Sequence, residues 1–144
     1  MSELLERLRS DLNTARRARD KQGTLVLSMT LSEVKNLQIE LGREPTDADV
    51  IDVVGRAVKR RREAADQIRA AGRAEMADRE EQEAAILTGY LPEQLGEDEV
   101  RALVREAVAG GADSVGAVMS VVMPRLKGRF DGREANRIVR EELG

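Results

Sequence analysis

The sequence predicts an all-α protein, and three observations predict it. Only Tyr90 and Phe130 are aromatic while 41% of the 144 residues are hydrophobic, so the core must be built from Leu, Val, Ile, Ala and Met, which suit helix packing better than a β-sandwich. Apolar residues recur at steps of three and four. Helix caps and stops divide the chain at several points.

In residues 2–21, Leu4, Leu5, Leu8, Leu12 and Ala15 fall on one face, with Arg and Glu between them, the pattern of an amphipathic helix. Gly23 is expected to end it. A second helix is expected over 24–41, with Leu27, Leu31, Val34 and Leu41 on one face and Leu25, Met29 and Ile39 elsewhere, stopped by Gly42. Thr46 and Asp49 form a T-x-x-D pattern that opens a third helix at 47–71, ended near Gly72. Residues 73–90 read as a fourth, acidic helix with Met76, Ala84, Ile86 and Leu87 as its apolar positions. Pro92 disfavours helix at Leu91, and Gly96 permits a change of direction. The expected organisation is therefore a four-helix bundle-like N-terminal domain, 1–90, and a smaller three-helix C-terminal domain, 91–144. The three helices are expected at 97–109, ended by Gly110 and Gly111, at 115–123 after a Ser114 cap, and at 131–143. Pro124 cannot donate to the Ser120 carbonyl, so the chain bends or tightens there before Gly128.

Composition narrows the chemistry. The chain has no Cys and no His, which removes thiolate sites, the usual zinc ligands and the commonest general base. No catalytic residue, metal site or cofactor is expected. The N-terminus is acidic and amphipathic and no apolar run is long enough to cross a membrane, so the expected location is cytoplasmic. Charge is uneven: residues 1–62 carry +3, residues 63–99 carry -8 and residues 100–144 carry +2, giving the net -3. Two mildly basic segments flank an acidic middle and could offer local basic faces to a polyanion.

Two constellations could use those faces. In "LKGRFDGREANRIVREEL", Gly128 suits a left-handed stop, and Asp131 with Glu134 forms a D-x-x-E capping box. At 100° per residue, Arg133, Arg137 and Arg140 lie within about 60° of one another, opposite Ala135, Ile138 and Val139. Lys127 and Arg129 precede the helix N-terminus, where backbone N–H groups also favour an anion. A solvated helix face is the plain explanation, and phosphate binding the sharper one. The second constellation is Lys59, Arg60, Arg61 and Arg62, of which Arg61 falls inside the apolar stripe of the third helix. A buried unpaired guanidinium is not tolerated, so Arg61 must snorkel, pair with a carboxylate such as one of the fourth helix, or face a ligand. Tyr90 and Phe130 could stack on bases or fill gaps beneath turns.

The segments "LLERLRSDLNTARRARDK", "VKRRREAADQIRAAGRAEMADREEQEAAILTGYLPEQL" and "VMPRLKGRFDGREANRIVREEL" resemble the YqeY family. That family is similar to the C-terminal helical and tail region of GatB, a component of the aspartyl/glutamyl-tRNA amidotransferase. The resemblance implies an N-terminal helical bundle joined to a three-helix tail domain. It also implies the tRNA-contacting part of that enzyme without the parts that hydrolyse glutamine or activate the carboxylate. The resulting expectation is a noncatalytic tRNA- or RNA-binding module gripping phosphates through Lys127, Arg129, Arg133, Arg137 and Arg140, with Lys59, Arg60, Arg61 and Arg62 as a further basic patch. An accessory that contacts an amidotransferase or an aminoacyl-tRNA synthetase is the alternative. Carbon–nitrogen ligase activity with glutamine as amido donor is implied only by descent from the larger enzyme.

Overall fold

The computed structural model describes residues 2–144. Among them lie seven helices and no strand: α1 (Glu3–Arg17), α2 (Lys21–Leu41), α3 (Asp47–Ala70), α4 (Ala74–Thr88), α5 (Glu97–Ala109), α6 (Val115–Leu126) and α7 (Gly132–Leu143). The chain separates into two compact units between Leu91 and Pro92.

The helix ends follow from their capping chemistry. Ser2 caps α1 by accepting from the Leu5 N–H at 3.1 Å. At α3 the capping box is complete: the Thr46 hydroxyl accepts from Asp49 N–H, and the Asp49 carboxylate accepts from Thr46 N–H at 2.8 Å. Arg43 donates to the same carboxylate at 2.7 Å, holding Asp49 well below the usual carboxylate range. Gly42 ends α2 in the left-handed region, as its position implied. Pro124 lies within the last turn of α6, which continues to Leu126 before Gly128 turns left-handed.

The break between α1 and α2 is not at Gly23. It lies at Ala18–Asp20, where the Asp20 carboxylate accepts from Gly23 N–H at 3.0 Å and opens α2. Gly23 is buried in the first turn of α2, where a Cβ would collide with that carboxylate. The stop is made by Arg19 in the left-handed region, φ 58°. Arg19 N–H donates to Arg16 O at 3.1 Å, and Asp20 N–H donates to Ala15 O at 2.9 Å, the pair of bonds that closes a helix in a Schellman motif. Glycine takes the same place after α3 and α5, as Gly72 and Gly111.

In the first unit Leu5, Leu8, Leu12, Val26, Leu27, Val34, Val50, Val53, Val54, Ala57, Val58, Ala84, Leu87 and Tyr90 form one core. Each fully buried Val or Leu contributes roughly 1.5–3 kcal/mol. Helices α3 and α4 run antiparallel, as their cross-pairs at Arg69–Asp78 and Arg62–Thr88 require. Ala57 and Ala65 of α3 and Ala77 and Ala84 of α4 are buried, and their small side chains let the two backbones approach closely. Met76, read as one of the apolar positions of the fourth helix, is 49% exposed, and Ala77 beside it is buried. Tyr90 is a structural plug rather than a stacking platform: its hydroxyl donates to Asp11, its ring lies 4.5 Å from the Arg7 guanidinium, and Arg7 donates to Gly89 O at 3.1 Å.

In the second unit α5, α6 and α7 close around Val100, Val104, Ala107, Val118, Val122, Leu126, Ala135, Ile138 and Val139, with Leu95 and Phe130 packed against the rim. The segment before α5 is bonded to the turn before α7. Leu95 N–H donates to Arg129 O at 2.9 Å, Gln94 Nε2 to Gly128 O at 2.8 Å, and Arg129 Nε to Glu93 O at 3.0 Å.

Thr46→Ala is expected to cost about 1 kcal/mol of unfolding free energy, measured by urea denaturation of the full chain. Because Asp49 is depressed, its contribution is present above the unfolded carboxylate range and fades as pH falls through the folded value. The Thr46→Ala loss should therefore shrink in acid.

Candidate nucleic-acid interface

The basic side chains expected to hold phosphate divide into those with carboxylate partners and those without. Arg137 of α7 is the most heavily partnered. It donates to Glu134 Oε2 at 2.9 Å, Glu141 Oε1 at 2.6 Å and Glu97 Oε1 at 3.3 Å. Glu134 therefore serves as an ion-pair partner, and Asp131 supplies the cap, accepting from Glu134 N–H at 3.4 Å. Arg101 of α5 bonds to Glu97, Glu141 and Glu142 at 2.8–2.9 Å, and Arg105 to Glu142 at 3.0 Å. These three arginines and four glutamates form one network across α5 and α7. The guanidinium donors hold Glu97, Glu141 and Glu142 below the usual carboxylate range. Arg137 is thus a helix-fixing residue whose charge is already balanced, which corrects its expected place on a free arginine face.

Arg133 and Arg140 fit that face better. Both are exposed, and they lie seven residues apart, about 10.5 Å along the helix. Arg140 donates to Asn136 Oδ1 at 2.7 Å, a neutral acceptor, and Arg133 has no carboxylate partner among the described residues. Arg129 is half-buried, and its guanidinium donates to the Glu93 and Arg125 carbonyls. It acts first as a clamp on residues 93–95, yet neutral acceptors leave its charge uncompensated. Lys127 is exposed at the end of α6 and has an interaction partner within the chain.

The patch at 59–62 does not act as a unit. Arg61 is 11% exposed, with Nε 3.7 Å from Glu83 Oε2 of α4, itself 13% exposed. Its Nε has no hydrogen-bond partner. Arg61 therefore forms an internal pair between α3 and α4, the pairing with a fourth-helix carboxylate that its place in the apolar stripe allowed, and this burial removes it from the basic patch at 59–62. Arg60 is exposed but donates to Glu33 Oε1 at 2.6 Å. Lys59 has a partner within the chain, and Arg62 donates to Thr88 Oγ1 at 3.4 Å. Of the acidic side chains of α4, Asp78 and Glu81 pair with Arg69 and Glu83 with Arg61, so part of that acidity is spent on α3.

One basic surface escaped the sequence reading. Arg16, Arg17, Arg19 and Lys21 are all exposed at the α1–α2 corner. None has a carboxylate partner among the described residues; Arg17 reaches only the Thr14 hydroxyl, at 3.4 Å. The signal was the run "ARRARDK", whose one acid, Asp20, is occupied as the α2 cap. Arg19 adds a second observation, since a left-handed non-glycine residue costs roughly 1–2 kcal/mol. Such backbone outliers cluster at functional sites.

A family model described as "Yqey-like protein" matches residues 5–143. A Pyrenophora tritici-repentis protein named altered inheritance of mitochondria protein 41, mitochondrial, is 28% identical over 147 residues, covering 98% of this chain and 81% of that protein. An uncharacterized protein of Schizosaccharomyces pombe is 31% identical over 86 residues, covering 60% of this chain and 70% of that protein.

Two outcomes follow from the paired arginines. Glu83→Ala should destabilise the first unit by about 3 kcal/mol, because it leaves the Arg61 charge buried and unpaired. Replacing Arg61 and Glu83 together by Leu should recover most of that loss in the same urea titration. In the second unit, Glu97, Glu141 and Glu142 have folded pKa values below their unfolded ones. Their contribution is complete above the unfolded glutamate value, about 4.3, and is lost as pH falls through the folded values. Amide exchange of α5 and α7 should accelerate below that pH, and Arg101→Met should move the acid midpoint upward.

Proposed function

We propose that this chain, which belongs to the Yqey-like protein family, is a noncatalytic RNA-binding module that holds the phosphate backbone of tRNA or another structured RNA. The observation that carries this reading is a set of solvent-accessible cations without carboxylate partners in a chain of net charge -3. Arg129, Arg133 and Arg140 make up the set on the second unit. On the first unit Arg16, Arg17, Arg19 and Lys21 belong to it and are gathered at one corner. Guanidinium groups bound only to neutral acceptors, or to none, retain both charge and free N–H donors for phosphate oxygens. Arg137 and Arg61 are left out, and Arg60 contributes less because Glu33 offsets it.

Recognition of this kind is governed by shape and backbone charge more than by base identity. Tyr90 is committed to Asp11 and Arg7, and Phe130 is packed against the C-terminal core, so base stacking has no role in the reading. Amide transfer would require an activated nucleophile for glutamine and a site for ATP, and no residue is assigned to either. No helix among the described residues is long and apolar enough to cross a membrane. We place the module in the cytoplasm; a mitochondrial setting, suggested by the name of the Pyrenophora relative, is the second location to test.

A low-salt gel-shift titration with tRNA tests the reading. Arg133→Glu with Arg140→Glu should weaken retention by at least tenfold and reduce the salt dependence of binding, leaving the melting temperature within a degree or two of the parent, because neither residue pairs with a carboxylate. Arg19→Gly should also weaken retention, but should raise the melting temperature by relieving the left-handed backbone. Parent-like binding by both variants would refute the proposal.

A further inference from the structure

Helix α2 has two contrasting faces. Val26, Leu27, Thr30 and Val34 are buried in its own bundle. On the other side Leu25, Met29, Ser32, Asn36 and Ile39 are all exposed, Leu25 by 56%, Met29 by 48% and Ile39 by 71%. These five are separated by four, three, four and three residues, the d-a-d-a-d spacing of a coiled-coil seam. No charged residue interrupts the stripe, although 35% of the chain is charged and an exposed helix face ordinarily carries that charge. In this register Lys35 occupies a g position and Glu40 the e position five residues later. Both are exposed, and neither has an ion-pair partner among the described residues. Of the two preceding e positions, Val26 is buried in the chain's own bundle and Glu33 is already held by Arg60.

We propose that α2 pairs with α2 of a second copy of this chain as a parallel two-stranded coiled coil over residues 25–40. Charge complementarity selects the occupant and the direction. In a parallel pair the g residue of one helix meets the e residue of the next heptad on its partner, so Lys35 meets Glu40 twice by symmetry. In an antiparallel pair g faces g and e faces e, and the two residues do not meet. Asn36 at an a position points the same way: its amide is satisfied by Asn36 of an identical, in-register strand and left unpaired by a foreign apolar helix. Ser32 at the central d position lets the two backbones approach closely. Two heptads bury less than the roughly 1,600 Å² of a standard stable interface, so the association is weak and concentration-dependent.

Sedimentation equilibrium of the full 15.9 kDa chain, run from tens of micromolar to about one millimolar, should show the average mass rising toward twice the monomer value. Leu25→Glu with Ile39→Glu should abolish the rise while retaining the helical circular-dichroism spectrum. Lys35→Glu and Glu40→Lys should each weaken association several-fold, and the two together should restore the parent behaviour, a rescue that simple loss of apolar area would not give. Because the chain has no cysteine, single cysteines report the register. Asn36→Cys should form a disulfide-linked dimer on mild oxidation, and mixed with Leu25→Cys it should not cross-link to that variant, the pair that an antiparallel seam, which sets a against d, would bring together. A chain that stays monomeric across the range overturns the proposal, including one that instead captures a different protein through this stripe. Preferred 25-to-36 cross-linking, or association that survives the Leu25 and Ile39 charges, overturns it as well.

Discussion

In the C-terminal unit α5, α6 and α7 enclose a core of Val, Ala, Ile and Leu, with the one aromatic ring, Phe130, at its rim. A core of small aliphatic side chains fixes that the helices pack but only weakly fixes how each is turned about its axis. Arg101 supplies the missing constraint, because its guanidinium reaches Glu97 on its own helix and Glu141 and Glu142 on α7. Planar donors of this kind impose a defined direction on each acceptor. Once α7 is so oriented, Arg137 falls toward Glu97 and Glu141, while Arg133 and Arg140 are left without acids. The same pairing that locks the helices therefore sorts the arginines into fixed and available ones.

The N-terminal unit solves a related problem with a different geometry. The alanines at 57, 65, 77 and 84 bring α3 and α4 together, and a close seam leaves little room for water around Arg61. Its charge is offset by Glu83 at 3.7 Å, while Nε goes without a hydrogen bond. Desolvating two charges for a pair this loose gives little net stability, yet removing either partner alone is costly. The pair acts chiefly as a register device. An α4 shifted along α3 would leave both charges buried and unmatched.

Legibility in the sequence followed the range of the interaction. Thr46 with Asp49, Gly42, Asp131 and both ends of α5 were readable because caps act over three or four residues and leave a local signature. The α1–α2 break was misplaced because Arg19 occupies the left-handed position where glycine is the usual signal, and Gly23, three residues after Asp20, offered a false stop. Helical projection placed Arg61 in the apolar stripe correctly, but it could not name Glu83, which lies 22 residues away on another helix. It also grouped Arg137 with Arg133 and Arg140, since an angle on one helix carries no information about Glu97 on α5. The unpartnered corner at 16–21 was missed for the opposite reason: an isolated basic run looks ordinary until its one acid, Asp20, is seen to be occupied as a helix cap.

The corner and the α2 stripe are linked by direction. Lys21 starts α2 and occupies a g position at the N-terminal edge of the seam, so a parallel pair sets two such corners at one end, whereas an antiparallel pair would separate them by the length of the helix. Arg16, Arg17, Arg19 and Lys21 of both copies would then face one another, and their repulsion opposes an interface that is small to begin with. A polyanion bridging the two corners removes that repulsion. By linkage, whatever RNA gains from the doubled cationic surface must appear equally as tighter pairing of α2 in its presence. On the two readings proposed above, weak self-association and backbone-directed RNA binding would not be independent: with a parallel seam, each would set the concentration at which the other appears.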